Sequence, residues 1–379
     1  MKQRALLLSL TALACLLIPL TAGAGPADHD GGADYVIKAA TLVPDGTNWA
    51  KELKALSATV EERTNGEVRF RFRFGGSMGD EPDVIRKLRS RSIQCAAISG
   101  MGLGQIVPEI RILESPLTFS TKSIDVKTDT GGTVRVLTYD FDQVDAAYEA
   151  LRPTFSRTAG DNGFEILGYA EHGAIYLFSS NPIRSIEELR KARPWVWRND
   201  HYASLLFETL EVRAKSLPVI DVYANLRKGT IDTFYNTPYL TIGMEWHVKA
   251  EYMINMPIVN GTGALIIEKT YFESLPEHHR AVIREVCAEF MDRFIGVSRQ
   301  ENVKALASLL GKNGVRKIDL EAGEIDRFRE IGRRHRVLAA TGSGETGPFY
   351  GRELLDTFES VLKGSTPAPA TPSNPDTSQ

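Results

Sequence analysis

Apolar residues recur along this chain with two periods, and the switches between them lay out its elements. Tyr35 to Thr41 is a short β-rich run, broken by Val43-Pro44-Asp45-Gly46-Thr47. From Asn48 to Thr64, Trp49, Leu53, Leu56 and Val60 fall at three- and four-residue intervals with Gly66 just beyond, which predicts a helix. Val68 to Phe74 alternates strictly, with Phe70, Phe72 and Phe74 on one face and Arg69, Arg71 and Arg73 on the other, the signature of a half-buried strand. The turn Gly75-Gly76-Ser77-Met78-Gly79 leads into a helix beginning near Asp80 with Val84, Ile85 and Leu88. Ile93 to Ile98 is then a buried strand opening into Ser99-Gly100-Met101-Gly102. Strand and helix alternating in this way predict an α/β lobe with a largely parallel sheet.

Residues 122–140 interrupt the alternation. Val134 to Tyr139 has strand character and Asp129-Thr130-Gly131-Gly132 the composition of a tight turn, so an inserted hairpin or flap is expected. A helix over Ala146 to Phe155 and two strands, Phe164 to Ala170 and Ala174 to Ser179, follow. Ser185 opens a short helix with Glu188 at capping-box spacing. The stretch Arg193-Pro194-Trp195-Val196-Trp197-Arg198-Asn199-Asp200 comes next, and on an extended strand both tryptophans share a face. Helices at 201–210 and 219–227 and strands at 213–217 and 231–235 make a second α/β lobe. Ala264 to Ile267 is a returning strand. A long helix after Pro276 carries Val282, Val286, Phe290 and Phe294 at four-residue spacing, and a strand at 315–318 and a helix after Asp319 complete the pattern. Lobe I is read as 33–171 plus 256–300, with 122–140 inserted, and lobe II as 172–255 plus 301–362. Several crossings between two lobes suit a cleft between them.

The ends add a destination. Lys2 and Arg4 precede an apolar run from Ala5 to Leu20 that closes on Ala22-Gly23-Ala24, the order of a secretory signal peptide over 1–24. Sixteen apolar or small residues fall short of the roughly 20 that span a membrane, and Cys15 lies inside the run, out of place for a lipid anchor. Removing 1–24 takes the formal net charge from −3 to −5, and the absence of a basic block argues against nucleic acid as a partner. Cys95 and Cys287 each sit in an apolar pattern and are expected as buried thiols, with no metal-site spacing around them. Residues 363–379, rich in Ser, Thr, Pro and Ala, are expected to be a disordered tail.

Several motifs suggest chemistry and then fail on context. Gly75 to Gly79 fits the nucleophile elbow around Ser77, but the preceding strand carries three arginines on one face where an elbow needs a central strand covered on both faces. Gly342-Ser343-Gly344-Glu345-Thr346-Gly347 fits a dinucleotide fingerprint but follows a helix. His278-His279 reads as a solvated pair, and Arg333-Arg334-His335-Arg336 as an exposed helix face. The aromatics carry more. Two indoles on one strand, with Phe234-Tyr235-Asn236 ending another and Tyr239 and Trp246 close behind, would need two N–H partners in a closed core. A cleft wall would leave them to ligand or water.

The order of motifs resembles the periplasmic substrate-binding proteins of tripartite ATP-independent (TRAP) transporters over roughly Tyr35 to Ile318. It is carried by Pro44-Asp45-Gly46, the turn 75–79, Ser99-Gly100, Val107-Pro108-Glu109, Ser115-Pro116-Leu117-Thr118-Phe119, Pro182-Ile183 with Ile186-Glu187-Glu188-Leu189, Leu217-Pro218 with Val222-Tyr223-Ala224-Asn225-Leu226, and Gly229-Thr230-Ile231-Asp232 through Asn236 and Pro238. The resemblance implies a two-lobed periplasmic-binding-protein-like α/β fold with a long C-terminal helix crossing both lobes. It also implies a periplasmic receptor without cofactor, metal or catalytic residue that closes on a small molecule and delivers it to small and large permease subunits.

The family's carboxylate-gripping arginine, on the strand after the Leu189 helix, falls at Trp195 here. A second family arginine falls near Ile175, so both clamps are replaced, whereas Asn236 matches the strand-end asparagine. A buried carboxylate needs a paired cation, so the expected ligand is apolar or ring-bearing. The expected contacts are Trp49, Ser99, Met101, Ile175, Trp195, Trp197, Arg198, Phe234, Tyr235, Asn236, Tyr239 and Trp246. The alternatives are a carboxylate held by Arg198 or Arg193 from shifted positions, an exported hydrolase using Ser77, and a scaffold that binds nothing. An apolar ligand also raises the idea of an accessory periplasmic protein meeting the 122–140 insertion.

Overall fold

The computed structural model describes residues 32–342 and 347–364. The segment read as a signal peptide, the core of the dinucleotide-like motif at 343–346 and the tail from 365 lie outside them. No helix among the described residues is long and apolar enough to cross a membrane.

Tyr35–Thr41 (β1) pairs in parallel with both Val68–Arg73 (β2) and Cys95–Ser99 (β3). Thr121–Lys127 (β4) and Thr133–Tyr139 (β5) form the expected antiparallel hairpin. Phe164–Ser179 (β6) is followed by the short parallel pair Trp195–Trp197 (β7) and Lys215–Leu217 (β8). Thr233–Asn236 (β9), Tyr252–Ile254 (β10), Val259–Glu268 (β11) and Arg316–Ile318 (β12) complete the strands. The main sheet runs β12-β10-β6-β11-β3-β1-β2, with β9 also on β6. The first half is less parallel than the alternation predicts, because β11 returns antiparallel to both β3 and β6.

The two strands expected between 164 and 179 are one strand of 16 residues. Gly173 is the reason: at φ +92° it bends the chain without ending the pairing, and a Cβ there would meet the Asn302 amide at 2.8 Å. The register of β11 shifts opposite it, between Gly261 and Thr262. Residues 164–175 of β6 therefore pair with β11 in one half of the sheet, while 176–179 pair with β9 and β10 in the other.

Helix starts are set by side chains. Thr47 Oγ1 accepts from Ala50 N at 3.2 Å to open Asn48–Arg63. Asp80 caps Glu81–Arg89 in a reciprocal box with Asp83. The long helix runs Glu277–Leu310, roughly 50 Å of rise. Val286, Phe290 and Phe294 are buried along it and Val282 is half-buried. Cys287 is free and buried beside that stripe, as Cys95 is on β3.

Three regions depart from expectation. The β4–β5 insertion is no loose flap: Val126, Val136 and Tyr139 are buried, Leu137 N donates to Asn255 Oδ1 at 2.9 Å, and Tyr176 Oη donates to Leu137 O at 2.7 Å. A helix at Arg352–Leu362 was not anticipated; Leu355, Phe358 and Val361 are buried, with Phe358 edge-on to Phe119. Two polar runs read as solvated are half-sunk. His335 and Arg336 are buried while Arg333 and Arg334 are exposed, and His279 is buried beside an exposed His278. Helical phase explains both, since one or two residues of a polar run can still face inward.

Candidate functional site

A cavity of about 180 Å3 is lined from both halves of the sheet. Its aromatic side is built on β7 and β9. Trp195 and Trp197 do share a face, with ring centroids 6.1 Å apart. Trp195 stacks on Tyr235 at 4.9 Å and 20°, and meets Trp246 edge-on at 5.4 Å. The argument that these indoles would look to ligand or water for hydrogen bonds is corrected here. Trp195 Nε1 donates to Leu217 O of the neighbouring β8 at 2.9 Å, and Trp197 Nε1 donates to the Asp80 carboxylate at 3.0 and 3.1 Å. Tyr235 Oη accepts from Trp197 N at 3.2 Å. The slab presents ring faces and keeps these polar atoms to itself.

The remaining expected contacts divide. Trp49, Ser99, Met101, Ile175, Asn236 and Trp246 line the cavity. Phe234, Tyr239 and Arg198 do not. Phe234 is fully buried behind the wall, stacked on Phe178 at 5.3 Å, as alternation along β9 requires once Tyr235 faces the cavity. Tyr239 supports from outside: its Oη accepts from Asn48 N at 2.9 Å and its ring lies 5.0 Å from that of Trp49. Arg198 is exposed, and Arg193 is turned to Asp232 at 3.1 Å. Neither arginine proposed as a shifted clamp lines the cavity.

The polar floor was missed. Arg111, embedded in Ile110-Arg111-Ile112-Leu113, is 5 % exposed. Its Nε lies 3.0 Å from Glu114 Oε2, its Nη2 lies 3.0 Å from Asp200 Oδ1, and the guanidinium sits 4.8 Å over the Tyr202 ring. Burial opposes its charge, but Asp200 and Glu114 outweigh that and hold it cationic. Burial also pushes Glu114 upward, against the pull of Arg111. Glu81 accepts from Ser99 N and Oγ at 2.7 Å and from Gly102 N at 2.8 Å, and burial raises it to about 7. The glycines flanking Met101 follow from these carboxylates: a Cβ would stand 2.2 Å from Glu114 Oε1 at Gly100 and 2.5 Å from Glu81 Oε2 at Gly102. His172, stacked on Trp49 at 5.4 Å, is lowered to about 4 by burial and is neutral. The signal for the floor was a charge inside an apolar run with an acid three residues on, a spacing that suits an internal pair.

Among the described residues, Arg111 is the one Lys or Arg lining the cavity, and it is flanked by two carboxylates. Ser77 is exposed on its turn, away from that lining. A sheet in two halves threaded by one strand, with a cavity lined from both, defines a two-lobed binding fold. The chain belongs to the bacterial extracellular solute-binding proteins, family 7, whose family model matches residues 39–335. It is thus a member of a receptor family and not an enzyme.

A solute-binding protein of Chromohalobacter salexigens is 24 % identical over 241 residues, covering 63 % of this chain and 66 % of its own length. Two crystal structures share the fold. One is a TRAP periplasmic solute-binding protein from Desulfovibrio salexigens with bound orotic acid, at 19 % identity and TM-score 0.74 over 87 % of this chain and 99 % of that one. The other is a TRAP periplasmic solute-binding protein from Xanthobacter autotrophicus with bound β-D-galacturonate, at 16 % identity and TM-score 0.73 over 86 % and 99 %.

Proposed function

We propose that this chain is the periplasmic receptor of a TRAP transporter, closing its lobes, 33–171 plus 256–300 and 172–255 plus 301–362, on a mainly apolar or ring-bearing molecule and delivering it to membrane permease subunits. The observation that carries the ligand class is the fate of charge in the cavity. Its one guanidinium already faces Glu114 and Asp200, and the position where the resemblance expects a gripping arginine is Trp195, stacked on Tyr235. The Desulfovibrio and Xanthobacter proteins bind orotic acid and galacturonate, both carboxylated molecules. A carboxylate in this cavity would be a third buried anion around one cation, and desolvating an ion without a partner costs several kcal/mol. Ring faces offer the opposite: each aromatic ligand ring laid on the Trp195–Tyr235 slab gains area burial plus about 0.5–1.5 kcal/mol of stacking.

Native mass spectrometry of the exported protein, followed by solvent extraction of what it carries, tests the reading. An uncharged or weakly polar ring compound is expected. Tight binding of orotate, galacturonate or a small dicarboxylate, displacing whatever co-purifies, would overturn it.

A further inference from the structure

Away from the cleft, the first turn of the Glu277–Leu310 helix lies against the entries to β1 and β2. His279 is 2 % exposed there, its ring edge-on to Tyr35 at 5.5 Å and its Nε2 2.9 Å from Glu67 Oε2. His278 stands beside it, with ring centroids 4.0 Å apart, and both His278 and Glu67 are exposed. One potential donor atom from each of the three lies within 4.8 Å of the others. We propose that Glu67, His278 and His279 form a surface site for a divalent transition metal of the Zn2+ class.

The donor set selects the metal. Two imidazoles and one carboxylate suit Zn2+, Cu2+ or Ni2+, whereas Mg2+ and Ca2+ call for oxygen ligands. Ligand atoms of a tetrahedral Zn2+ lie roughly 3.3 Å apart, so the site must contract somewhat. The burden falls on the two exposed side chains, while His279 is already fixed by burial, Tyr35 and Glu67. Two features limit affinity. Ligation through Nε2 moves the proton to His279 Nδ1, which is buried with no acceptor, and the first turn of a helix is its positive end. Together they place the dissociation constant in the micromolar range and make the site a clamp between the helix start and the β1–β2 edge.

Tag-free, chelator-treated full-length exported protein titrated with ZnCl2 in a calorimeter should take up one ion with a micromolar dissociation constant. His278→Ala and Glu67→Gln, both at exposed positions, should each weaken that uptake at least tenfold while leaving the circular dichroism spectrum unchanged. In the unaltered protein, Zn2+ should shift the ring-proton signals of two histidines and spare the rest, a readout independent of any variant. Absence of saturable uptake, an affinity in either variant unchanged from that of the unaltered protein, or shifts on other histidines would overturn the proposal.

Discussion

The two sides of the cleft handle buried polarity in opposite ways. On the floor, Arg111, Glu114, Asp200 and Glu81 are buried and find their polar partners in one another, Ser99, Gly102 and Thr262. On the wall, the indole N–H groups of Trp195 and Trp197 are drawn off to Leu217 and Asp80, and ring faces are what remains. The floor therefore satisfies its own charges, and the wall leaves its ring faces uncommitted. A cation in a binding cleft is a ligand anchor only if its own neighbours leave it free.

The largest expected effect comes from breaking the floor. Arg111→Met leaves Glu114 and Asp200 buried and facing each other without a cation, which should cost about 3–5 kcal/mol of unfolding free energy in urea titrations. A loss under about 1 kcal/mol would mean that water already screens the floor, and the contrast between the two sides would collapse.

Acidity probes the same side. Burial raises Glu81 from 4.5 to about 7, so between those values the unfolded chain has lost a proton that the native state keeps. Glu81 thus makes stability fall as pH rises through that window. His335, buried behind Tyr202 with Nε2 3.0 Å from Tyr202 O, is lowered by burial from 6.5 to about 4. The unfolded chain then gains a proton that the native state refuses, so its contribution is lost as pH falls from 6.5 to 4. Each amounts to on the order of 3 kcal/mol and the two oppose. Glu81→Gln should unmask the histidine slope, giving stability that climbs more steeply from pH 4.5 to 6.5 than in the unaltered protein. An unchanged slope would show that Glu81 titrates normally.

On the wall, Trp195→Arg should lower affinity for the co-purifying ligand more than tenfold, over about 1.4 kcal/mol, and introduce affinity for small carboxylates. Unchanged binding of the original ligand would remove the wall from recognition.

How much of this was readable beforehand follows from what each feature depends on. The order of strands and helices was legible because hydrophobic period is local, as in Val68 to Phe74 and the Val282–Phe294 stripe. The shared face of Trp195 and Trp197 was legible for the same reason. Phe234 was misplaced although alternation alone sets it opposite Tyr235. Arg111 left one local trace, the acid three residues on inside an apolar run, but its other partner, Asp200, lies 89 residues away, and no local period encodes such a pair. The single strand through Gly173 was also hidden, since glycine between two β-rich runs reads as a break until the pairing partner is known. The indole partners Leu217 and Asp80 were hidden likewise.

The smallest expected effect tests a side-chain bond between the two sides, which the backbone also joins through Asp200 N donating to Trp197 O at 3.0 Å. Trp197 Nε1 reaches across to Asp80, which also caps the Glu81–Arg89 helix whose first residue is the buried Glu81. Trp197→Phe keeps a ring on the wall and deletes that link. Because the indole is half-buried, the loss should be about 1 kcal/mol or less, read as a three- to fivefold weaker ligand affinity with little change in unfolding free energy. Asp80→Asn should weaken the same contact from the other end. If Trp197 and Asp80 act through one bond, the double variant should lose little more than the worse single one. Fully additive losses would mean that the tryptophan serves the ligand and the aspartate serves the helix, with no coupling through this bond.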